Sequence, residues 1–379
     1  MKKILIVNNN LNIGGIQKSL LNLLNCVKDD YEISLLLFSK TGGLIEQIPK
    51  NVKVITPNGV YRVLGLAKNE LKSNPFLFIL KAFLIEYTKI TSRRKAMNLL
   101  GLFQKKIIGY DCVISYSHLP GSKEFANGCG DFVLDKVECD NKICLIHCDY
   151  LNSGFMSNQN NLEYEEFNKI GCCSESVKDR FLIGSNLNEN KVYTLRNFND
   201  LNILSLANIS PYKYDNNFIN IIIVSRLSEE KGLDRAINAL IKTKTNNIKY
   251  YIIGDGPMRP KLKKMCEHND IIEKVIFLGE QTNPYRYMSK ADYLLLPSIH
   301  EAAPMVYDEA KILGLKVITT KTTSSTELIG NRYGIICENS EKGIETALND
   351  CIKQTIKREN NINNNLQISQ FNCLVNNND

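Results

Sequence analysis

Twice along this chain, short aliphatic runs alternate with segments of helical periodicity, and that alternation leaves few folds open. Lys3 to Val7 begins the first series, and a Gly-containing turn leads to a helix-like run from Gln17 to Val27. Ile33 to Phe38, Val52 to Ile55, Cys112 to Ser115, Lys142 to Ile146 and Val192 to Leu195 read as further strands. The pattern restarts with strand Asn220 to Val224, a helix from Gly232 to Ile241, and strands at Lys249 to Ile253, Val275 to Leu278 and Tyr293 to Leu296. Met305 to Leu313 then reads as a helix and Lys316 to Thr319 as a strand. Such runs predict strands in a mostly parallel sheet with crossover helices, hence an α/β chain. The chain has 379 residues, too many for one ordinary core, so two α/β/α domains are expected. The predicted boundaries are 1–199, a linker at 200–217 where periodicity fades, 218–355, and an Asn-rich tail over 356–379. Ligands bind beyond the carboxyl ends of strands in such sheets, which makes a cleft between the domains the expected active-site position.

A hydrophobic fraction of 44% with 23% charged residues describes a soluble globular protein. The formal net charge of +7 suits anionic partners without choosing among nucleotide phosphates, acidic lipids and nucleic acid. Met1-Lys2-Lys3 runs straight into Ile4 to Val7, which Asn8-Asn9-Asn10 ends too early for a signal peptide, so a cytoplasmic location is expected. The 12 cysteines then read as reduced thiols. Cys144, His147, Cys148, Cys172 and Cys173 match no standard zinc spacing, which favours small buried hydrophobes and no metal. Residues 61–109 interleave Phe76, Phe78, Ile79, Phe83 and Ile85 with Lys72, Lys81, Lys89, Arg93, Arg94, Lys95, Lys105 and Lys106. Two readings fit this segment: an amphipathic insertion on an anionic membrane surface, or a helical pair packed on the sheet.

The densest motif is Ser298-Ile-His-Glu301-Ala-Ala-Pro304-Met-Val-Tyr-Asp-Glu309-Ala310, directly after a strand. Two glutamates eight positions apart flank a turn and a helix start. The backbone N–H groups of Ala303, Met305 and Val306 surround that helix start, with Pro304 setting the turn between them, and these unpaired amides suit phosphate. Glu309 can accept from ribose hydroxyls and Glu301 from a sugar. Taken alone, such a pair also fits a solvated helix face. Ser225-Arg226-Leu-Ser-Glu-Glu-Lys231-Gly232 lies between a strand and a helix, where Arg226 and Lys231 suit a diphosphate or simply solvent. Gly254-Asp-Gly-Pro257 and Leu278-Gly279 are turns after strands, and Gly14-Gly15 follows the first strand without forming a dinucleotide fingerprint.

Together these segments resemble the retaining glycosyltransferases of the GT-B fold, family 4-like, with two Rossmann-like domains. Glu301 and Glu309 match the E-x7-E motif, and Glu-Ala-x-Pro-Met-Val-x-x-Glu-Ala is similar to the capsular and exopolysaccharide branch. Ala302 departs from the more common Glu-Gly. The resemblance runs from Lys3 to about Leu328 and thins over 61–109. It implies that Gly14 and Gly15 make room for the donor, and that Arg226 and Lys231 neutralise its diphosphate. It further implies that Gly254 and Gly279 line the nucleotide, that His147 contacts the sugar, and that Asp149 orients acceptor or histidine. His118 is a second histidine candidate, and Ser174-Glu175-Ser176-x-Lys178 and Arg196-Asn197 match positions that shape the site.

The implied reaction is metal-independent transfer from a nucleotide sugar, a UDP-sugar by expectation, to an oligosaccharide or lipid-linked acceptor, with no cofactor. A front-face mechanism fits, since no carboxylate nucleophile stands out in the first half. The alternatives are a catalytically silent nucleotide-sugar-binding partner of another transferase, and a Rossmann oxidoreductase that the missing fingerprint disfavours. No nucleic-acid recognition motif is present. The tail is expected to form at most a short return helix.

Overall fold

The computed structural model describes residues 1–243, 247–351 and 363–376. They fall into two compact units: 1–198 with the segment from Asn364 onward, and 199–363. The first unit is built on β1 (Lys3–Asn8), β2 (Glu32–Leu37), β3 (Lys53–Ile55), β4 (Cys112–Ser115), β5 (Lys142–Ile146), β6 (Lys169–Cys172) and β7 (Val192–Thr194). They pair in parallel in the order β3-β2-β1-β4-β5-β6-β7. The second unit holds β8 (Ile219–Val224), β9 (Ile248–Ile253), β10 (Val275–Gly279), β11 (Tyr293–Leu296), β12 (Lys316–Thr320) and β13 (Gly334–Cys337). These are also parallel, in the order β10-β9-β8-β11-β12-β13.

The α/β fold expected from the alternating pattern is therefore present in both units. Ile4, Leu5, Ile6 and Val7 have no exposed surface, because helices cover both faces of the central strand β1. The two strands absent from the sequence reading, β6 and β13, are four residues long and each contains a glycine. Gly334 is required there, since a Cβ would stand 1.9 Å from the Val317 carbonyl oxygen of the neighbouring strand.

Residues 200–217, expected as a linker, are instead part of the second unit. Helix Ile203–Ala207 buries Ile203 and Ala207, and Tyr212 and Tyr214 pack their rings on Tyr251. Irregularly spaced aromatic anchors hold this segment, so it shows no period. The described part of the tail forms helix Asn365–Val375 on the first unit, with Phe371, Leu374 and Val375 buried against Leu195 and Phe198 in one core. Residues 352–362 and 377–379, which the tail and domain boundaries also included, lie outside the described residues.

Residues 61–109 form short helices ahead of Pro75–Ile90 and Arg93–Leu100. Leu77, Leu84 and Thr88 face inward, whereas Phe76, Ile79, Phe83 and Ile90 remain exposed. Of two cations expected on the surface, one is buried and the other is only partly exposed and paired. Arg93 is fully buried, donating to Asp131 and Glu163, and Arg94 pairs with Asp135 and Glu166. Acidic residues distant in sequence balance them. No helix among the described residues is long and apolar enough to cross a membrane.

Candidate functional site

Strand order reverses between β8 and β11, and the loops beyond their carboxyl ends carry the densest motifs. The two loops are stitched together. Ile299 N–H donates to the Glu230 carbonyl at 2.9 Å, and Arg235 Nη2 donates to the Pro297 carbonyl at 2.6 Å. Thr320 Oγ1 donates to the Ser298 carbonyl at 2.6 Å, and Asn339 Nδ2 to the Ile299 carbonyl at 2.9 Å. Gly232, at φ +61°, sits where a Cβ would approach the Pro297 carbonyl oxygen to 2.4 Å. No other residue type fits that crossing without displacing the loop.

This stitching brings Lys231 Nζ to 2.6 Å from Glu301 Oε1, which also accepts from Ser298 Oγ at 2.7 Å. The Glu301 side chain is only 9% exposed, and that ammonium and hydroxyl supply hydrogen bonds in place of water. Arg226 lies on the same loop but pairs elsewhere: it is 69% exposed and donates to Glu230 at 2.6 Å. The sequence reading placed Arg226 and Lys231 in one role. The structure brings Lys231 to Glu301 and gives Arg226 an acidic partner of its own.

The glycine turns are tied to the same loop. Gly254, at φ +130°, would put a Cβ 1.9 Å from the Ser225 carbonyl oxygen, and its N–H donates to the Gly279 carbonyl at 2.9 Å. Leu227 N–H reaches the Asp255 carbonyl at 2.9 Å. Beyond β11, Pro304 enters helix Met305–Leu313 in extended conformation, leaving Met305 and Val306 in its first turn without intrahelical acceptors. Glu309 is buried in that helix and accepts from the Tyr285 hydroxyl at 3.2 Å. Ser298 opens the densest motif but had no role assigned from sequence, and Tyr285, Arg235 and Asn339 were not singled out at all. These three are isolated residues in helices or turns.

In the first unit, Gly14-Gly15 joins β1 to helix Gly15–Val27, and a Cβ on Gly15 would meet nothing within 4 Å. His147 follows β5 directly, with its ring 5.3 Å from Tyr116. Burial first, and then neighbouring His118, push its imidazole down to about 3, so it is neutral through the physiological range. Burial likewise pushes His118 down to about 4, and its ring stacks on Phe155 at 5.2 Å. His147 Nε2 and His118 Nδ1 are buried polar atoms with no hydrogen-bond partner among the described residues. Asp149 accepts from Arg180 at 2.7 Å and Asn152 at 2.8 Å. Ser174 caps helix Glu175–Ser185, and Asn197 accepts from Ser19 at 2.9 Å. Among the described residues no group of three or more His, Cys, Asp or Glu side chains could hold a metal ion.

Residues 208–367 match the family described as Glycosyl transferases group 1. The chain is 30% identical over 137 residues to an N-acetylgalactosamine-N,N'-diacetylbacillosaminyl-diphospho-undecaprenol 4-alpha-N-acetylgalactosaminyltransferase of Campylobacter jejuni, covering 34% of this chain and 37% of that one. It is 25% identical over 262 residues to the phosphatidylinositol N-acetylglucosaminyltransferase gpi3 subunit of Schizosaccharomyces pombe, covering 66% and 56%. The chain thus spans from about a third to just over half the length of these relatives. Among solved structures, Anabaena Alr3699/HepE in complex with UDP and glucose superposes with a TM-score of 0.63 at 17% identity, over 93% of this chain and 90% of that one. The chain has the GT-B fold, and residues 208–367 within it are similar to the family described as Glycosyl transferases group 1.

Proposed function

We propose that the chain is a retaining glycosyltransferase that moves a sugar from a nucleoside diphosphate, UDP in the first instance, to a saccharide acceptor. The Lys231–Glu301–Ser298 cluster at the strand-order reversal, with Glu309 one helix turn beyond, carries this reading. Glu309 receives the ribose hydroxyls, and Met305 and Val306 N–H groups face the diphosphate. Lys231 turns from Glu301 toward the leaving phosphate while Glu301 takes hydroxyls of the sugar. Arg226 exchanges Glu230 for phosphate oxygen. The acceptor oxygen bonds to the anomeric carbon on the face the phosphate leaves, and the phosphate oxygen takes the acceptor proton. No metal ion or cofactor enters this scheme: these cations and amides carry the electrostatic load. His147, neutral, hydrogen-bonds the sugar.

UDP as donor nucleotide is supported by its presence in the HepE complex. A lipid-linked acceptor is supported by the diphospho-undecaprenol named for the Campylobacter relative. Calorimetric titration of UDP, beside NAD, into wild type and Glu309→Ala tests the donor site. Micromolar UDP binding that weakens at least tenfold in the variant is expected. NAD binding without UDP binding would remove the proposal. A well-folded protein that binds UDP but turns over no UDP-sugar would be a silent binding partner instead.

The location proposed is the cytoplasm, at the inner membrane face, with anionic lipid met through residues 61–109. Phe76 is 65% exposed and Ile90 81%, and Lys89 and Lys95 lie exposed on the same helical pair. Replacing Lys89 and Lys95 by glutamine together with Phe83→Ser should weaken binding to anionic liposomes about tenfold or more. Unchanged binding would remove the membrane contact. Arg93 and Arg94 are not useful in this test, because Arg93 is buried among its partners and Arg94, though partly exposed, is paired with Asp135 and Glu166.

A further inference from the structure

Helix Tyr285–Met288 approaches the proposed nucleotide site from behind at two points. Tyr285, 5% exposed, donates its hydroxyl to Glu309 Oε1 at 3.2 Å. Burial, and then the negative charges of Glu309 and Asp200, hold its phenol far above the ordinary range, so the proton stays on oxygen as a permanent donor. Two residues on, the Tyr287 hydroxyl donates to Gln281 Oε1 at 3.2 Å, and Gln281 Nε2 donates to the Leu278 carbonyl at 2.7 Å. That carbonyl can only accept, which fixes which way the Gln281 amide points. Leu278 and Gln281 bracket the Gly279 turn, at φ +71°, whose carbonyl receives the Gly254 N–H.

The helix itself has a rigid backing. Tyr212 N–H donates to the Arg286 carbonyl at 3.0 Å, and the Tyr214 hydroxyl to the Tyr287 carbonyl at 3.1 Å. The Tyr212 and Tyr287 rings lie 4.9 Å apart, and Tyr214 meets Tyr251 edge-on at 4.6 Å. Two hydroxyls on one anchored turn thus reach the carboxylate and the loop that a bound nucleoside would touch. Neither belongs to the motifs that marked the site.

We propose that Tyr285 and Tyr287 are positioning residues for the two halves of the nucleoside. Tyr285 sets the rotation of the Glu309 carboxylate that receives the ribose hydroxyls. Tyr287, through Gln281, sets the Leu278–Gln281 loop against the base. Both roles rest on the nucleotide reading above.

The test is calorimetric titration of UDP and of 2′,3′-dideoxy-UDP into wild type, Tyr285→Phe, Tyr287→Phe, Glu309→Gln and the Tyr285→Phe/Glu309→Gln double variant. Tyr285→Phe should weaken UDP about 5- to 20-fold and leave the dideoxy analogue within about twofold, since only the ribose hydroxyls read that carboxylate. The double variant should be no weaker than Glu309→Gln, because the tyrosine acts through the glutamate. Tyr287→Phe should weaken both analogues alike and narrow the margin of UDP over ADP. Equal losses for both analogues in Tyr285→Phe, or additive losses in the double variant, would reduce Tyr285 to packing and overturn its role. An unchanged base preference in Tyr287→Phe would overturn the other. If wild type bound none of UDP, GDP and ADP, the nucleotide reading would fail and take this inference with it. If UDP bound through Glu309 and both phenylalanine variants matched wild type, only the tyrosine inference would fail.

Discussion

Lys231→Ala is expected to lower turnover of the best UDP-sugar by about 10²- to 10³-fold, the range seen when one preorganised donor to developing charge is removed. The argument starts from the resting ion pair. Lys231 Nζ lies 2.6 Å from Glu301 Oε1, and the segment 297–299 that leads to Glu301 is fixed by bonds from Arg235, Thr320 and Asn339 and by its own bond to the Glu230 carbonyl on the Lys231 loop. On the proposed reading, an ammonium held this way stands close to where the leaving phosphate would bind and needs little reorganisation to meet it. The loss should appear in kcat more than in KM, because charge on the diphosphate grows as the glycosidic bond breaks. A second effect follows from burial. Glu301, 9% exposed, loses its cation, so the variant should also unfold at lower temperature. Lys231→Ala/Glu301→Gln should recover the melting temperature but not the turnover. Donor hydrolysis without acceptor, followed with melting curves on the same samples, separates the two effects. A Lys231→Ala enzyme within tenfold of wild type would sink the assigned role.

Much of the fold could be read from the sequence because buried parallel strands leave continuous aliphatic runs, and eleven of them stand at or within two residues of their observed places. The exceptions are instructive. Strands β6 and β13 offered only four residues apiece, one of them glycine, too little for a periodic signal. The glutamates at 301 and 309 could be read because one loop and one helix turn hold both. The Lys231–Glu301 contact could not, because the residues lie 70 apart and meet only through the adjacency of β8 and β11, which strand order alone decides. The same holds for Tyr285 and Glu309, 24 residues apart. Residues 61–109 were misjudged in part for this reason. Local counting found few acidic residues among the cations, while Asp131, Asp135, Glu163 and Glu166 arrive from later helices to meet Arg93 and Arg94.

Arg93→Ala should destabilise the protein by about 3–5 kcal/mol, as expected when one partner of a buried ionic cluster is removed. Arg93 has no exposed surface, and nearly every donor it has is used. Its Nε reaches both Asp131 oxygens at 3.0 Å, Nη1 reaches the Pro120 carbonyl at 2.5 Å and Asn160 Oδ1 at 2.9 Å, and Nη2 reaches Glu163. Its own N–H donates to the Ser122 carbonyl at 2.8 Å, so one residue ties helix Arg93–Leu100 to three other segments. Removal leaves two carboxylates with no cation between them. Burial already raises Glu163 against the opposing pull of Arg93, and without the guanidinium it should rise further. The sign follows. A carboxyl whose folded pKa exceeds its unfolded value contributes stability at low pH and loses it as pH rises through the folded value. The deficit of Arg93→Ala should therefore be smaller at pH 5 than at pH 8, measured by urea denaturation with circular dichroism. Replacing Arg93 with Met and both acids with Leu should recover most of the loss, since apolar packing can substitute for a buried ion cluster. A deficit below about 1 kcal/mol at pH 8, or one that grows on acidification, would show that the cluster does not hold this helix in place.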